Sequence, residues 1–166
     1  MTVRNTAKGV TVTSSDHVTV ADLKIENTGE EAMHLKGSTV DSTLVGNTIN
    51  TTGLVNPQYG EGIYIGTDKN NWCVYNNCLP DQTVRNTIVG NNITNTSAEG
   101  IEAKEATADT VIAGNTIDGA NTTFANASGD SSARNVSHSS GVGGSPVMAS
   151  VTRRSRTRRS AGCAGA

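Results

Sequence analysis

Two lysines, a histidine and a tyrosine stand at matched places in short alternating segments of this chain, and these residue types suit proton transfer. The segments are Ala32-Met33-His34-Leu35, Gly62-Ile63-Tyr64-Ile65 and Gly100-Ile101-Glu102-Ala103, followed by Lys36, Gly66 and Lys104. A lysine whose pKa is lowered by a neighbouring cation can take a proton from a carbon next to a carboxylate, while a second cation neutralises that carboxylate. Lys104 and Lys36 are the candidate bases, His34 is a third, and Tyr64 suits donation to a leaving oxygen. Hydrolysis would instead need two carboxylates about 5 Å or about 6.5–9.5 Å apart, drawn from Glu61, Asp68, Glu99 and Glu102. The plainer reading is that these Lys and Glu residues are solvating charges that blunt association of a sheet.

Further groups cluster around the same segments. Glu31, Glu61 and Glu99 each precede the small residue. Stacked like charges repel, so the column is either a solvated rim or a site for a cation such as Ca²⁺, with Glu61 and Glu99 as ligands. Asp68 and Lys69 open a polar stretch beside Gly66 and join Glu102 as candidate ligand-binding residues. Asp68-Lys69-Asn70-Asn71 has fewer acids than a calcium-binding EF-hand loop. Cys73 and Cys78, in CVYNNC, are read either as a small disulfide or as two free thiols, and no second Cys/His pair completes a zinc pattern.

Positioning such groups requires a repeating scaffold, and the sequence contains one. The alternating segments, with Gly9-Val10-Thr11-Val12 as the first copy, read as short half-buried strands. Each is followed by a second element: VADLKI from Val20, LVGNTI from Leu44, IVGNNI from Ile88 and IAGNTI from Ile112. From the small residue to the closing Ile the distance is 16, 17, 31 and 17 residues, and the outlier contains a loop over about 66–83. Constant strands with variable loops mark a solenoid, in which each copy must match its neighbours while its turns need not. The expected fold is all-β, a right-handed parallel β-helix of about four copies. Its internal stacks would be Val10-Met33-Ile63-Ile101, Val12-Leu35-Ile65-Ala103, Val20-Leu44-Ile88-Ile112 and Ile25-Ile49-Ile93-Ile117. Gly46, Gly90 and Gly114 would make the turns, and Asn47, Asn91 and Asn115 an amide ladder. A β-sandwich would explain the alternation but not the recurrence of one GN(T/N)I motif in register.

The motifs GNTIN (46–50), GNNIT (90–94), GNTID (114–118), EGIYI (61–65) and EGIEA (99–103) resemble the PbH1-type repeats of the pectate-lyase-like superfamily, over roughly residues 7–120. More narrowly, the chain is similar to bacterial secreted β-helix repeat proteins. The resemblance implies an extracellular or cell-surface protein whose partner is a polysaccharide lying along one sheet face, in a groove walled by long loops. It implies β-elimination on uronate polymers as the leading activity, with Lys104, Lys36, His34 and Tyr64 in the groove. A non-catalytic surface or carbohydrate-binding solenoid is the rival expectation, and an inactive truncated product the third. The NTD, GHG and RIK motifs of polygalacturonases, the WIDH of extracellular pectate lyases and the GxDYGxDPH of alginate epimerases are absent.

Composition bounds the rest. One Phe, one Trp and three Tyr in 166 residues fit a thin core of small β-branched side chains. Residues 1–130 carry seven Lys/Arg against fifteen Asp/Glu, whereas residues 131–166 carry six Arg and no acid. The repeat is expected to occupy 1–130 and a low-complexity disordered tail 131–166. The arginine run 153–160 lacks interleaved aromatics, so a nucleic-acid partner is not expected, and the abrupt change of composition reads as translation out of frame. No stretch approaches the roughly 20 apolar residues of a membrane helix, and MTVRNT has no apolar signal-peptide core. The body is read as part of a longer parent, with exposed ends prone to self-association.

Overall fold

The computed structural model describes residues 1–118 and 134–138. The regular structure of the described residues is mostly short strands in parallel sheets, with few helical turns. In order these are β1 (Thr2–Arg4), β2 (Val10–Thr13), β3 (Thr19–Ala21), β4 (Lys24–Glu26), β5 (Met33–Lys36), β6 (Thr43–Val45), β7 (Thr48–Asn50), β8 (Ile63–Ile65), β9 (Thr87–Val89), β10 (Asn92–Thr94), β11 (Ile101–Ala103), β12 (Val111–Asp118) and β13 (Arg134–His138). One sheet has four strands in the order β11-β8-β5-β2, and the other has nine. Every pairing is parallel and joins one copy of the repeat to the next.

The register is the one the repeat requires. Val10 pairs with Met33, Met33 with Ile63 and Ile63 with Ile101. Leu44 pairs with Ile88 and Ile88 with Ile112, while Ile25, Ile49, Ile93 and Ile117 follow one another in the remaining column. These columns are the core: Ile25, Ile49, Ile63, Ile65, Ile88 and Ile93 are fully buried. A single strand of three residues buries almost nothing, so the energy lies in stacking identical β-branched side chains between copies. The register also reaches back to β1, where Val3 pairs with Ile25, one strand earlier than the repeat is legible.

VADLKI and its counterparts are two strands rather than one, split by a residue in the left-handed region. Asp22 (φ 54), Gly46 (φ 64) and Gly90 (φ 64) bend the chain there, while the fourth copy carries Gly114 (φ 62) within the continuous β12. The asparagine after each glycine is buried and forms the expected ladder. Asn47 Nδ2 donates to Asn91 Oδ1 at 2.9 Å and Asn91 Nδ2 to Asn115 Oδ1 at 2.9 Å. The side-chain oxygens of Asn91 and Asn115 also accept the backbone N–H of the preceding asparagine, Asn47 and Asn91, so an otherwise orphaned donor at the bend is satisfied.

Two insertions lie in the same copy, on either side of β8. One holds a 3-10 turn at Pro57–Tyr59, and the other, after Gly66, holds a second 3-10 turn at Lys69–Asn71 and the short helix α1 (Trp72–Tyr75). The first also shows in the spacing, since the distance from the closing Ile to the next small residue is 7, 13 and 7 residues. β13 pairs with β12 and lies in the region assigned to the tail; the rest of 131–166, including the arginine run, lies outside the described residues. Among the described residues no helix is long and apolar enough to cross a membrane.

Candidate active site on the four-stranded sheet

His34, Tyr64 and Glu102 are Cα partners across β5, β8 and β11, so alternation puts them in one column on the face away from the aliphatic core. Lys36 ends β5, and Gly66 and Lys104 follow β8 and β11 in the next register position, with Gly66 N–H bonded to Leu35 O and Lys104 N–H to Ile65 O. The two loops of the β8 copy flank this face.

The column is far less exposed than an outward position on a bare sheet. His34 is 7% exposed and Glu102 6%. His34 Nδ1 lies 3.0 Å from Glu31 Oε1 and Nε2 lies 2.9 Å from Gly66 O. Both ring nitrogens of His34, one of the expected bases, are therefore engaged within the protein, by a carboxylate and a carbonyl oxygen. Its ring packs on Tyr64 with centroids 4.4 Å apart. Gly66 has φ +81, and a Cβ there would come 2.6 Å from Thr107 Cγ2, so the position between the two lysines stays bare.

Lys104 also differs from expectation. Its Nζ is 2.6 Å from Glu102 Oε1, 3.8 Å from Asp68 Oδ2 and 5.5 Å from the Tyr64 ring centroid. Burial works against its charge, but the hydrogen bond to Glu102 and the fields of Glu102 and Asp68 outweigh it and raise the pKa. The charges that act on it, Glu102, Asp68 and Glu105, are all carboxylates, so it is held as an ammonium. Tyr64 is raised as well, by burial and then by the charge of Glu102, so it is held as a phenol; the backbone N–H of Asp68 points at its oxygen. Lys69 is drawn to Glu105 at 3.8 Å, so the two opening loop residues Asp68 and Lys69 both meet charges from the β11 copy.

The acidic column is rearranged. Glu31 is held by Lys8 at 2.7 Å and by His34, and these hydrogen bonds overcome burial to bring its pKa down to about 2. Glu61, Glu99 and Glu102 instead offer carboxylate oxygens within 4.8 Å of one another. Burial, and then the charges of Glu102, Glu31 and Glu99, push Glu61 up to about 7. Three hard oxygens are about half of what Ca²⁺ takes, and the Lys104 ammonium lies 2.6 Å from one of the three carboxylates. Glu61 and Glu99, the two ligands expected for a cation, thus lie together, with Glu102 as a third oxygen donor.

Asp81 is a buried anchor of the long loop, with no repeat signature to reveal it. It is fully buried, and its carboxylate accepts from Gly37 N, Ser38 N, Thr67 Oγ1 and Thr83 Oγ1 at 2.7–2.9 Å. It thereby ties both ends of the long loop to the turn after Lys36. Within that loop Trp72 Nε1 donates to Thr67 O, and Cys73 and Cys78 are joined by a disulfide.

No family model matches the chain, and no curated protein is significantly similar to it. Among solved structures the chain is similar to an alginate lyase from Paenibacillus sp. str. FPU-7, at 30% identity and a TM-score of 0.72. The match covers 83% of this chain and 48% of that one, so the chain spans about half the length of that alginate lyase.

Proposed function

We propose that the two parallel sheets are faces of a right-handed parallel β-helix, of the PbH1 type, that cleaves uronate polysaccharide such as alginate by β-elimination. The carrying observation is the pairing of Tyr64, held as a phenol, with Lys104, held as an ammonium 5.5 Å from its ring, on a face flanked by two loops. The likeness to an alginate lyase supports the same reaction class.

The roles follow from what each group can do in the state the site imposes. The Lys104 ammonium faces the substrate carboxylate, which takes the place of Asp68, its looser partner at 3.8 Å. Neutralising that carboxylate acidifies the adjacent C–H and stabilises the charge that develops as its proton leaves. Glu61, with a proton affinity near neutrality, takes that proton. The electron pair of the broken C–H bond forms a carbon–carbon double bond, the bond from the next carbon to the glycosidic oxygen breaks, and Tyr64 protonates that oxygen. The proton on Glu61 then returns to Tyr64 through solvent. His34 positions the Tyr64 ring.

The test is incubation of the full chain with alginate and other uronate polymers, following the ultraviolet absorbance of the new double bond. Turnover that disappears in Tyr64→Phe and Lys104→Ala supports the assignment. Glycan binding without unsaturated product would favour a non-catalytic solenoid.

A further inference from the structure

Among the described residues, four of the five lysines lie against carboxylates: Lys8 on Glu30 at 2.6 Å, Lys24 on Glu26 at 2.6 Å, Lys69 on Glu105 at 3.8 Å and Lys104 on Glu102 at 2.6 Å. Lys36 has no carboxylate partner. Its ammonium instead lies 5.5 Å from the centroid of the Tyr75 ring. That ring is 66% exposed, on a loop otherwise anchored to the fold.

The anchoring makes the pair a built feature. Tyr75 ends α1, inside the span closed by the Cys73–Cys78 disulfide. Asp81, downstream in the same loop, receives the N–H groups of Gly37 and Ser38, the two residues after Lys36. The loop bearing the aromatic ring is thus pinned to the turn bearing the cation. An ammonium without a counter-charge, beside an exposed aromatic face, matches a sugar acid: the carboxylate pairs with the cation and the C–H face of the sugar packs on the ring. Lys36 and Lys104 are two strand spacings apart, about 10 Å, across bare Gly66. A polymer lying over the sheet therefore meets both without crossing a side chain.

We propose that Lys36 and Tyr75 form a distal uronate subsite, which reads the carboxylate of a sugar other than the one being cleaved. Lys36 is then a specificity-determining residue and not a base. This rests on the uronate reading above, but needs only binding and not turnover.

The experiment compares the full chain with Lys36→Gln, Lys36→Arg and Tyr75→Ala. In native gels containing alginate, the wild-type chain is retarded, and Lys36→Gln weakens apparent affinity about tenfold, the usual worth of one charge-assisted contact. Lys36→Arg restores most of it. In turnover, KM on long polymer rises far more than kcat falls, and the distribution of product lengths shifts. Undiminished retardation of Lys36→Gln, or a loss confined to kcat, would overturn the proposal. Absence of turnover with intact, Lys36-dependent retardation would sink the lyase reading and leave the subsite standing.

Discussion

Lys104 Nζ sits 2.6 Å from Glu102 Oε1, and Glu102 is only 6% exposed. A buried carboxylate next to an ammonium lowers the energy of the charged lysine more than burial raises it. Glu102→Gln removes that support, so Lys104 should lose its proton at lower pH. The expected outcome is a pH–rate profile whose alkaline limb moves to lower pH, with activity near pH 6 largely kept. An unmoved limb would show that Lys104 protonation is not what the site requires.

Tyr64→Phe keeps the ring that packs on His34 and removes only the hydroxyl. Rate should fall at least a hundredfold, the scale of a lost general acid, while retardation in alginate gels stays near wild type. Equal loss of binding would argue that Tyr64 serves to hold sugar rather than to donate a proton.

Glu61 and Glu31 should respond to pH in opposite senses. Glu61 is raised to about 7 by burial and like charges, so its contribution is full below the unfolded value of about 4.5 and is lost as pH rises through 7. Glu61→Gln should therefore stabilise the chain at pH 8 by up to about 3 kcal/mol, change little at pH 4, and abolish turnover. Glu31 is brought down to about 2, so its contribution is full above about 4.5 and is lost as pH falls through 2. Denaturant melts of the two Gln variants at pH 4 and pH 8 check both signs.

The asparagine ladder makes a prediction about the scaffold alone. Asn91→Ala strands the buried backbone N–H of Asn47 and the carbonyl of Leu44, which Asn91 satisfies at 3.0 Å each. The cost should be about 3 kcal/mol or more, from two unmet buried groups and a cavity. Thr116→Ala, one residue beyond the ladder and exposed, should cost no more than about 0.5 kcal/mol. Paired urea melts compare them.

The scaffold was legible because its energy is periodic: the closing Ile recurs in all four copies and Gly-Asn in three, so one pattern names strand, bend and ladder together. Leu23, at the ladder position of the copy without GN, still donates its N–H to Asn47 Oδ1 at 3.0 Å. The site was legible in part, since alternation put His34, Tyr64 and Glu102 in one column. What it did not reveal is who answers whose charge. Glu31 turns to Lys8, a residue 23 positions away, and Lys104 to Glu102, two positions away on the same face. Both choices depend on side-chain reach, which a repeat does not encode. Asp81 was missed for a related reason, since a residue found in one copy leaves no period to detect.

The most direct test is formation of unsaturated product from alginate by the full chain, beside Lys104→Ala. The account predicts a steady rise in double-bond absorbance for the wild type and none for the variant, with both chains equally folded by circular dichroism. Product formed at an undiminished rate by Lys104→Ala would contradict it.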